Sequence, residues 1–239
     1  TQTMTGTDRM DIRRLASPEE AAAEAADFVA NRMRLAVAER GLFTLALSGG
    51  STPWKMMHRL AELDLPWEFA HVFQVDERVA ADGDPDRNLT HIREQLTDRI
   101  GLSEDHLHAM PVNHEDLHAG AFQYSELIRQ IAGAPAILDL VHLGIGSDGH
   151  TASLIPGDRL LQETKFDVGV SLPYQGRPRM SLTFPILNRA RNVLWLITGP
   201  DKACILERLI RNDPEIPAAC VSTDRATIVT DSPAVTGSE

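Results

Sequence analysis

Apolar residues fall in short unbroken runs separated by longer amphipathic or alanine-rich stretches. Leu42 to Leu47, Val72 to Val75, Ile137 to Ile145, Met180 to Thr183, Asn192 to Thr198 and Ala226 to Thr230 have the length and β-branched content of buried strands. The intervening segments read as helices. Ser17 stands as N-cap, Pro18 at the first helical position and Glu20 at the third, and the Ala-rich stretch then runs to Arg40 and stops at Gly41. Pro53 is placed to open a helix through Leu63, and further helices are expected over Leu89–Arg99, Glu115–Ile131 and Asp201–Arg211. Asp76-Glu77-Arg78 and the Asp/Gly/Pro-rich stretch from Ala80 to Arg87 read as loops.

Strands alternating with helices predict an α/β fold, a mostly parallel Rossmann-like sheet flanked by helices with room for a small subdomain. Ligands bind such sheets beyond the carboxyl ends of the strands. Three loops there are rich in polar residues or glycine: Ser48–Pro53, Asp76–Arg78 and Gly144–Pro156.

Composition narrows the class. With 239 residues, 23 Lys+Arg against 34 Asp+Glu and a net charge of −11, the chain repels nucleic-acid backbones at long range, so no nucleic-acid partner is expected. A small anion remains open to it, because a local cluster of basic groups outweighs distant charge once solvent is excluded. No apolar run reaches the ~18 residues of a membrane span. The two cysteines, Cys204 and Cys220, are expected to be free thiols in a reducing compartment. A cytoplasmic location is the expectation.

The loops carry the candidate chemistry. In Ser48-Gly49-Gly50-Ser51-Thr52, glycines allow close backbone approach and the following helix start aims amides at negative charge; the plainer alternative is a tight turn with Thr52 as a helix cap. Gly144-Ile145-Gly146-Ser147-Asp148-Gly149 fits G-x-G-x-x-G, and Asp167 sits near the spacing of a ribose-binding acid. Pro156 and Gly157 cut short the helix that a dinucleotide site needs, which favours a loop presenting Asp148 and His150. His114-Glu115-Asp116-Leu117-His118 matches H-E-x-x-H, but with Asn113 as N-cap it falls in an acidic first turn and lacks a third zinc ligand. His150 is the acid–base candidate, against the alternative of a histidine that only bonds loop backbone. Arg78 either clamps an oxyanion or pairs with Asp76 or Glu77. Arg179 and Lys202 become phosphate ligands only if folding brings them to Ser48–Thr52.

Taken together, these residues resemble the 6-phosphogluconolactonases. The resemblance rests on Ser48–Pro53, Asp76-Glu77-Arg78, Asn88, the run from Leu143 to Gly157 containing Asp148-Gly149-His150-Thr151-Ala152-Ser153-Leu154, Arg179–Thr183, Thr198–Ala203 and Ile216-Pro217-Ala218. It runs from about Ala16 to Asp231, which implies one domain over 16–231 with 1–15 and 232–239 as tails. The related glucosamine-6-phosphate deaminases carry a glutamate shortly after the Asp-Gly-His triplet and a tyrosine where Arg78 stands; this chain has Ser153-Leu154-Ile155-Pro156 and no glutamate there. A sugar-phosphate sensor is the binding-protein alternative, but only about 40 residues precede the first expected strand, too few for a separate DNA-binding domain.

The resemblance implies hydrolysis of 6-phospho-D-glucono-1,5-lactone. His150 would be the general base, Asp148 its orienting partner and Arg78 the oxyanion stabiliser. Ser48, Gly49, Gly50, Ser51, Thr52, Asp76, Arg179 and Lys202 would bind substrate and its phosphate. The expected partner is this small phospholactone, with no metal or cofactor in the chemistry, and the chain is expected to act as a monomer or weak homodimer.

Overall fold

The computed structural model describes residues 10–232. Its elements run β1 (Asp11–Arg14), α1 (Pro18–Arg40), β2 (Phe43–Leu47), α2 (Ser51–Ala61), β3 (Ala70–Gln74), β4 (Asp76–Arg78), α3 (Asn88–Ile92), α4 (Asp98–Ile100) and β5 (Leu107–His108). They continue with α5 (Leu117–Ala132), β6 (Leu140–Leu143), β7 (Val168–Val170), β8 (Arg179–Leu182), α6 (Phe184–Arg189), β9 (Val193–Ile197), α7 (Ala203–Ile210) and β10 (Ala226–Thr230). A 7-stranded parallel sheet has the order β1-β10-β9-β6-β2-β3-β5, and a 3-stranded antiparallel sheet has the order β4-β8-β7.

Both faces of the parallel sheet are covered, which is why its strands read as unbroken apolar runs. Phe43, Leu45 and Leu47 of β2 and Leu194 and Leu196 of β9 join α1 and α2 in one core. Ala46, Trp195 and Ile197 point the other way, into a second core with α5, α6, α7 and the small sheet. The first helix forms as its sequence predicts. Ser17 Oγ accepts the Glu20 N–H at 3.1 Å, and Gly41 turns the chain out at φ 70° while its N–H reaches the Val37 carbonyl.

The small sheet grows out of the large one at a single residue. Val75 donates its N–H to Leu47 of β2 at 2.9 Å and accepts the Leu182 N–H of β8 at 2.8 Å. Asp76–Arg78, expected as a loop, is therefore strand β4, lifted over the carboxyl edge of the parallel sheet. Its polar residues gave no strand signal, because its partner β8 is about 100 residues away in sequence and its main anchor is a buried carboxylate rather than an apolar face.

Other boundaries also differ from expectation. Within the expected tail 1–15, Asp11–Arg14 is an edge strand parallel to β10; its charged side chains suit an edge, and Arg13 pairs with Asp11 and Glu24. Ser232, placed in the other tail, is buried and accepts Arg14 through its carbonyl. The rest of those tails, residues 1–9 and 233–239, lies outside the described residues. The expected Leu89–Arg99 helix is interrupted by a π-helical turn at Arg93–Thr97. The helix placed from Glu115 starts at Leu117, because Asp116 rather than Asn113 caps it, accepting from the His118 and Ala119 N–H groups. α2 begins at Ser51, with Pro53 in its first turn. β5, β7 and α6 were not anticipated.

At the amino edge of the sheet, far from the loops named above, buried Asp139 accepts from Thr44 N–H (2.9 Å), Thr44 Oγ1 (3.0 Å) and Arg40 (2.8 Å), with Arg191 at 3.3 Å. Asp139→Ala leaves the buried Thr44 donors unpaired and frees Arg40 and Arg191, and should cost about 2–4 kcal/mol. The expected result is a lower denaturant midpoint at an unchanged slope.

Candidate active site

The parallel sheet changes direction between β2 and β6: β2 leads to β3 on one side, and β6 leads through the small sheet to β9 on the other. At such a switch point the two loops diverge and leave a crevice. Here it forms a cavity of about 330 Å³ lined by the Ser48–Pro53 segment, Asp76, Arg78, Asn88, Gly144–Gly146, His150, Arg179, Thr198 and Lys202, among others. Every residue expected to bind or react lines this cavity except Asp148, which stands behind His150.

The loop after β6 turns back on itself to present an acid–base pair. His150 Nδ1 lies 2.6 Å from Asp148 Oδ1, and the same oxygen accepts the His150 backbone N–H at 3.1 Å. Tyr174 donates to Asp148 Oδ2 at 3.2 Å. Partial burial pushes the Asp148 carboxyl up, but the donors from His150 and Tyr174 outweigh it and hold the group below the ordinary carboxylate range. An ionised Asp148 fixes the proton on Nδ1 and leaves Nε2, which has no partner among the described residues, as a proton acceptor. Gly146 makes room for this: a Cβ there would stand 2.1 Å from His150 Nδ1. Ala218 braces the loop by donating to the Gly149 carbonyl at 3.0 Å.

Cationic and hydroxyl side chains gather around the pair. Arg78 and Arg179 are direct cross-strand partners on β4 and β8, so both guanidinium groups belong to one face. Arg179 is only 5% exposed, and burial holds its pKa below the usual arginine value, yet the side chain remains cationic. It donates once, to Gln175 at 3.2 Å, and its buried Nε has no partner. A buried guanidinium with spare donors beside a cavity is suited to an anion. Lys202 Nζ donates to the Ile145 carbonyl at 3.1 Å. Thr52 Oγ1 and Thr198 Oγ1, 2.5 Å apart, join the start of α2 to the end of β9. Ser48 donates to the His142 carbonyl at 2.8 Å; burial drives His142 to about 3, so its neutral ring takes the Ser48 N–H.

The acidic strand β4 is arranged by burial. Asp76 accepts Ser153 Oγ at 2.7 Å; burial raises its carboxyl, against the lowering effect of Ser153 and the two arginines. Glu77, fully buried, does not pair with Arg78 through side chains. It accepts from Gln74, from the backbone N–H groups of Arg78, Asn88 and Leu89, and from Arg87 Nε. Arg78 instead donates to the Asp86 carbonyl at 2.5 Å and lies 3.4 Å from Asn88 Oδ1.

Sequence reasoning assigned no role to Glu77, Tyr174, Gln175 or Thr198. Nothing in the sequence ties the turn at Gln175-Gly176 to this cavity. The dinucleotide alternative loses its acid, since Asp167 is bonded to Arg189 at 2.6 Å. Among the described residues no cluster of three or more His, Cys, Asp or Glu side chains is arranged to hold a metal ion, His114 and His118 included. No described helix is long and apolar enough to cross a membrane.

Comparison with known proteins agrees with this geometry. Residues 16–230 match the family model described as glucosamine-6-phosphate isomerases/6-phosphogluconolactonase. A 6-phosphogluconolactonase of Synechocystis sp. is 39% identical over 185 residues, 73% of this chain and 74% of that protein. One from Nostoc sp. is 34% identical, covering 75% of this chain and 76% of its own. Among solved structures, the 6-phosphogluconolactonase of Thermotoga maritima superposes with a TM-score of 0.83 at 27% identity, covering 93% of this chain and 99% of that one.

Gly146→Ala should force the imidazole away from Asp148 by about an ångström or more, since the added methyl cannot share the space of Nδ1. A crystal structure of the variant, or loss of the low-field Nδ1 proton resonance, checks this.

Proposed function

The chain belongs to the glucosamine-6-phosphate isomerase/6-phosphogluconolactonase family, and from that membership we propose that it hydrolyses 6-phospho-D-glucono-1,5-lactone to 6-phosphogluconate in the pentose phosphate pathway. The observation that carries the mechanism is the 2.6 Å His150–Asp148 bond at the wall of a cavity bearing Arg78, Arg179 and Lys202.

A lactone is an activated ester, so water and a base suffice. His150 Nε2 takes a proton from water as the oxygen attacks C1, a contribution on the order of 10²–10⁴-fold. Arg78 stabilises the charge that develops on the carbonyl oxygen. Collapse of the tetrahedral intermediate breaks the C1–O5 bond, and the imidazolium returns its proton to O5, leaving the open-chain acid, which releases its remaining proton to solvent as the carboxylate. The amides and hydroxyls of Gly49–Thr52, with Arg179 and Lys202, hold the 6-phosphate, while Ser48 and Gly50 shape that loop and Asp76 faces a ring hydroxyl. Phosphate binding places the lactone without joining the bond changes.

The deaminase reading lacks its acid, since the segment Ser153–Pro156 contains no carboxylate and Ser153 is committed to Asp76. Exposed, unpaired Cys204 and Cys220 support a reducing, cytoplasmic setting.

Freshly generated lactone, with 6-phosphogluconate dehydrogenase reporting product, should disappear well above the uncatalysed rate; equality with the blank, or ammonia release from glucosamine 6-phosphate, refutes the reading. His150→Ala should lower kcat by about 10²–10⁴-fold with little change in KM, and near-normal kcat would remove the base assignment. Arg179→Ala should raise KM and weaken inhibition by 6-phosphogluconate in parallel; unchanged inhibition would move the phosphate elsewhere.

A further inference from the structure

Asp148 is the weak point of the site. Its side chain is 37% exposed, and a carboxylate turns easily about its last torsion. The oxygen facing His150 stays in place only if the other is also held, and one described side chain holds it: Tyr174, through its hydroxyl.

The same ring meets His150 edge to face, with centroids 5.4 Å apart at 62°, and carries the Arg179 guanidinium 4.9 Å above its centre. Its own position is fixed by a tight turn. Tyr174 and Arg177 exchange backbone hydrogen bonds at 2.9 and 3.3 Å around Gln175 and Gly176, both in the left-handed region at φ 52° and 83°. Gln175 accepts from Arg179, and Arg177 pairs with Asp84 and Asp86 at 3.4 and 3.5 Å on the loop that also receives Arg78.

We propose that Tyr174 is a positioning residue that fixes the Asp148–His150 pair and ties it to the anion-binding arginine Arg179. The proposal rests on the lactonase reading for its kinetic consequence, but its geometric content is independent of it. The hydroxyl serves the base pair through Asp148, and the ring serves Arg179, so the two roles separate by substitution. Tyr174→Phe keeps the ring and its packing and removes only the bond to Asp148. Tyr174→Leu removes both.

The test compares kcat and KM on the phospholactone for wild type, Tyr174→Phe, Tyr174→Leu, Asp148→Asn and the double variant Tyr174→Phe/Asp148→Asn. Tyr174→Phe should lower kcat by about 3–10-fold, the low end for a hydrogen bond to a partly exposed charged group, with KM within about twofold. The double variant should be no slower than Asp148→Asn alone, because the hydroxyl acts only through that carboxylate. Tyr174→Leu should in addition raise KM several-fold. Wild-type kcat in Tyr174→Phe, multiplied losses in the double variant, or an unchanged KM in Tyr174→Leu would each overturn the proposal. A readout without turnover keeps it apart from the lactonase reading: the low-field Nδ1 proton resonance of His150 should broaden in Tyr174→Phe. An unchanged resonance defeats the proposal whatever substrate the wild type accepts, whereas a wild-type rate equal to the blank defeats the lactonase reading alone.

Discussion

A fully buried carboxylate must find donors or lose its charge, and Glu77 organises this molecule around that requirement. The backbone N–H groups that satisfy it belong to Arg78, Asn88 and Leu89, so β4 and the start of α3 are brought together around one side chain. Arg87, itself nearly inaccessible, closes the group from the loop between them. Asn88, once seated, donates to the Asp76 carbonyl and fills the space beside Gly49, where a Cβ would come within 1.9 Å of its Oδ1. The glycine-rich loop after β2 and the arginine strand therefore meet through Asn88, whose backbone N–H is bonded to Glu77.

The electrostatics follow the same economy. The protein is strongly acidic, yet its cavity gathers Arg78, Arg179 and Lys202 beside the exposed amides of a helix start. Arg78 and Arg179 stand side by side, and the Arg78 charge adds to burial in holding Arg179 below the usual arginine value. Asp76 offsets part of that repulsion from below, although its own burial works against ionisation. What remains is an excess of donors over acceptors in a confined space, which an anionic ligand relieves.

Much of this was legible in the sequence. The central strands declared themselves because both faces of the sheet are covered, and the three loops followed from where apolar runs end. The Asp148–His150 contact, two residues apart, lay within reach of local reasoning. β1 escaped because an edge strand of charged residues carries no apolar alternation, and β4 because its stability comes from Glu77 and a distant partner. The expected cap was Asn113, and Asp116 takes the place instead, a charged acceptor at the positive end of a helix. Tyr174 was invisible for a different reason: 26 residues separate it from Asp148, and no periodicity links a hairpin tip to a glycine-rich loop.

The junction at Val75 gives this site an unusual sensitivity to phase. One residue separates a strand of the large sheet from a strand of the small one, and that residue is bonded into both ladders. Successive side chains of β4 alternate between two faces, with Asp76 and Arg78 at the cavity and Glu77 beneath. Insertion or deletion of one amino acid here would reverse that alternation, sinking the arginine among the backbone donors and aiming the glutamate into the cavity. The reading frame of the two sheets, as much as the identity of any residue, thus sets the sign of charge that the cavity presents.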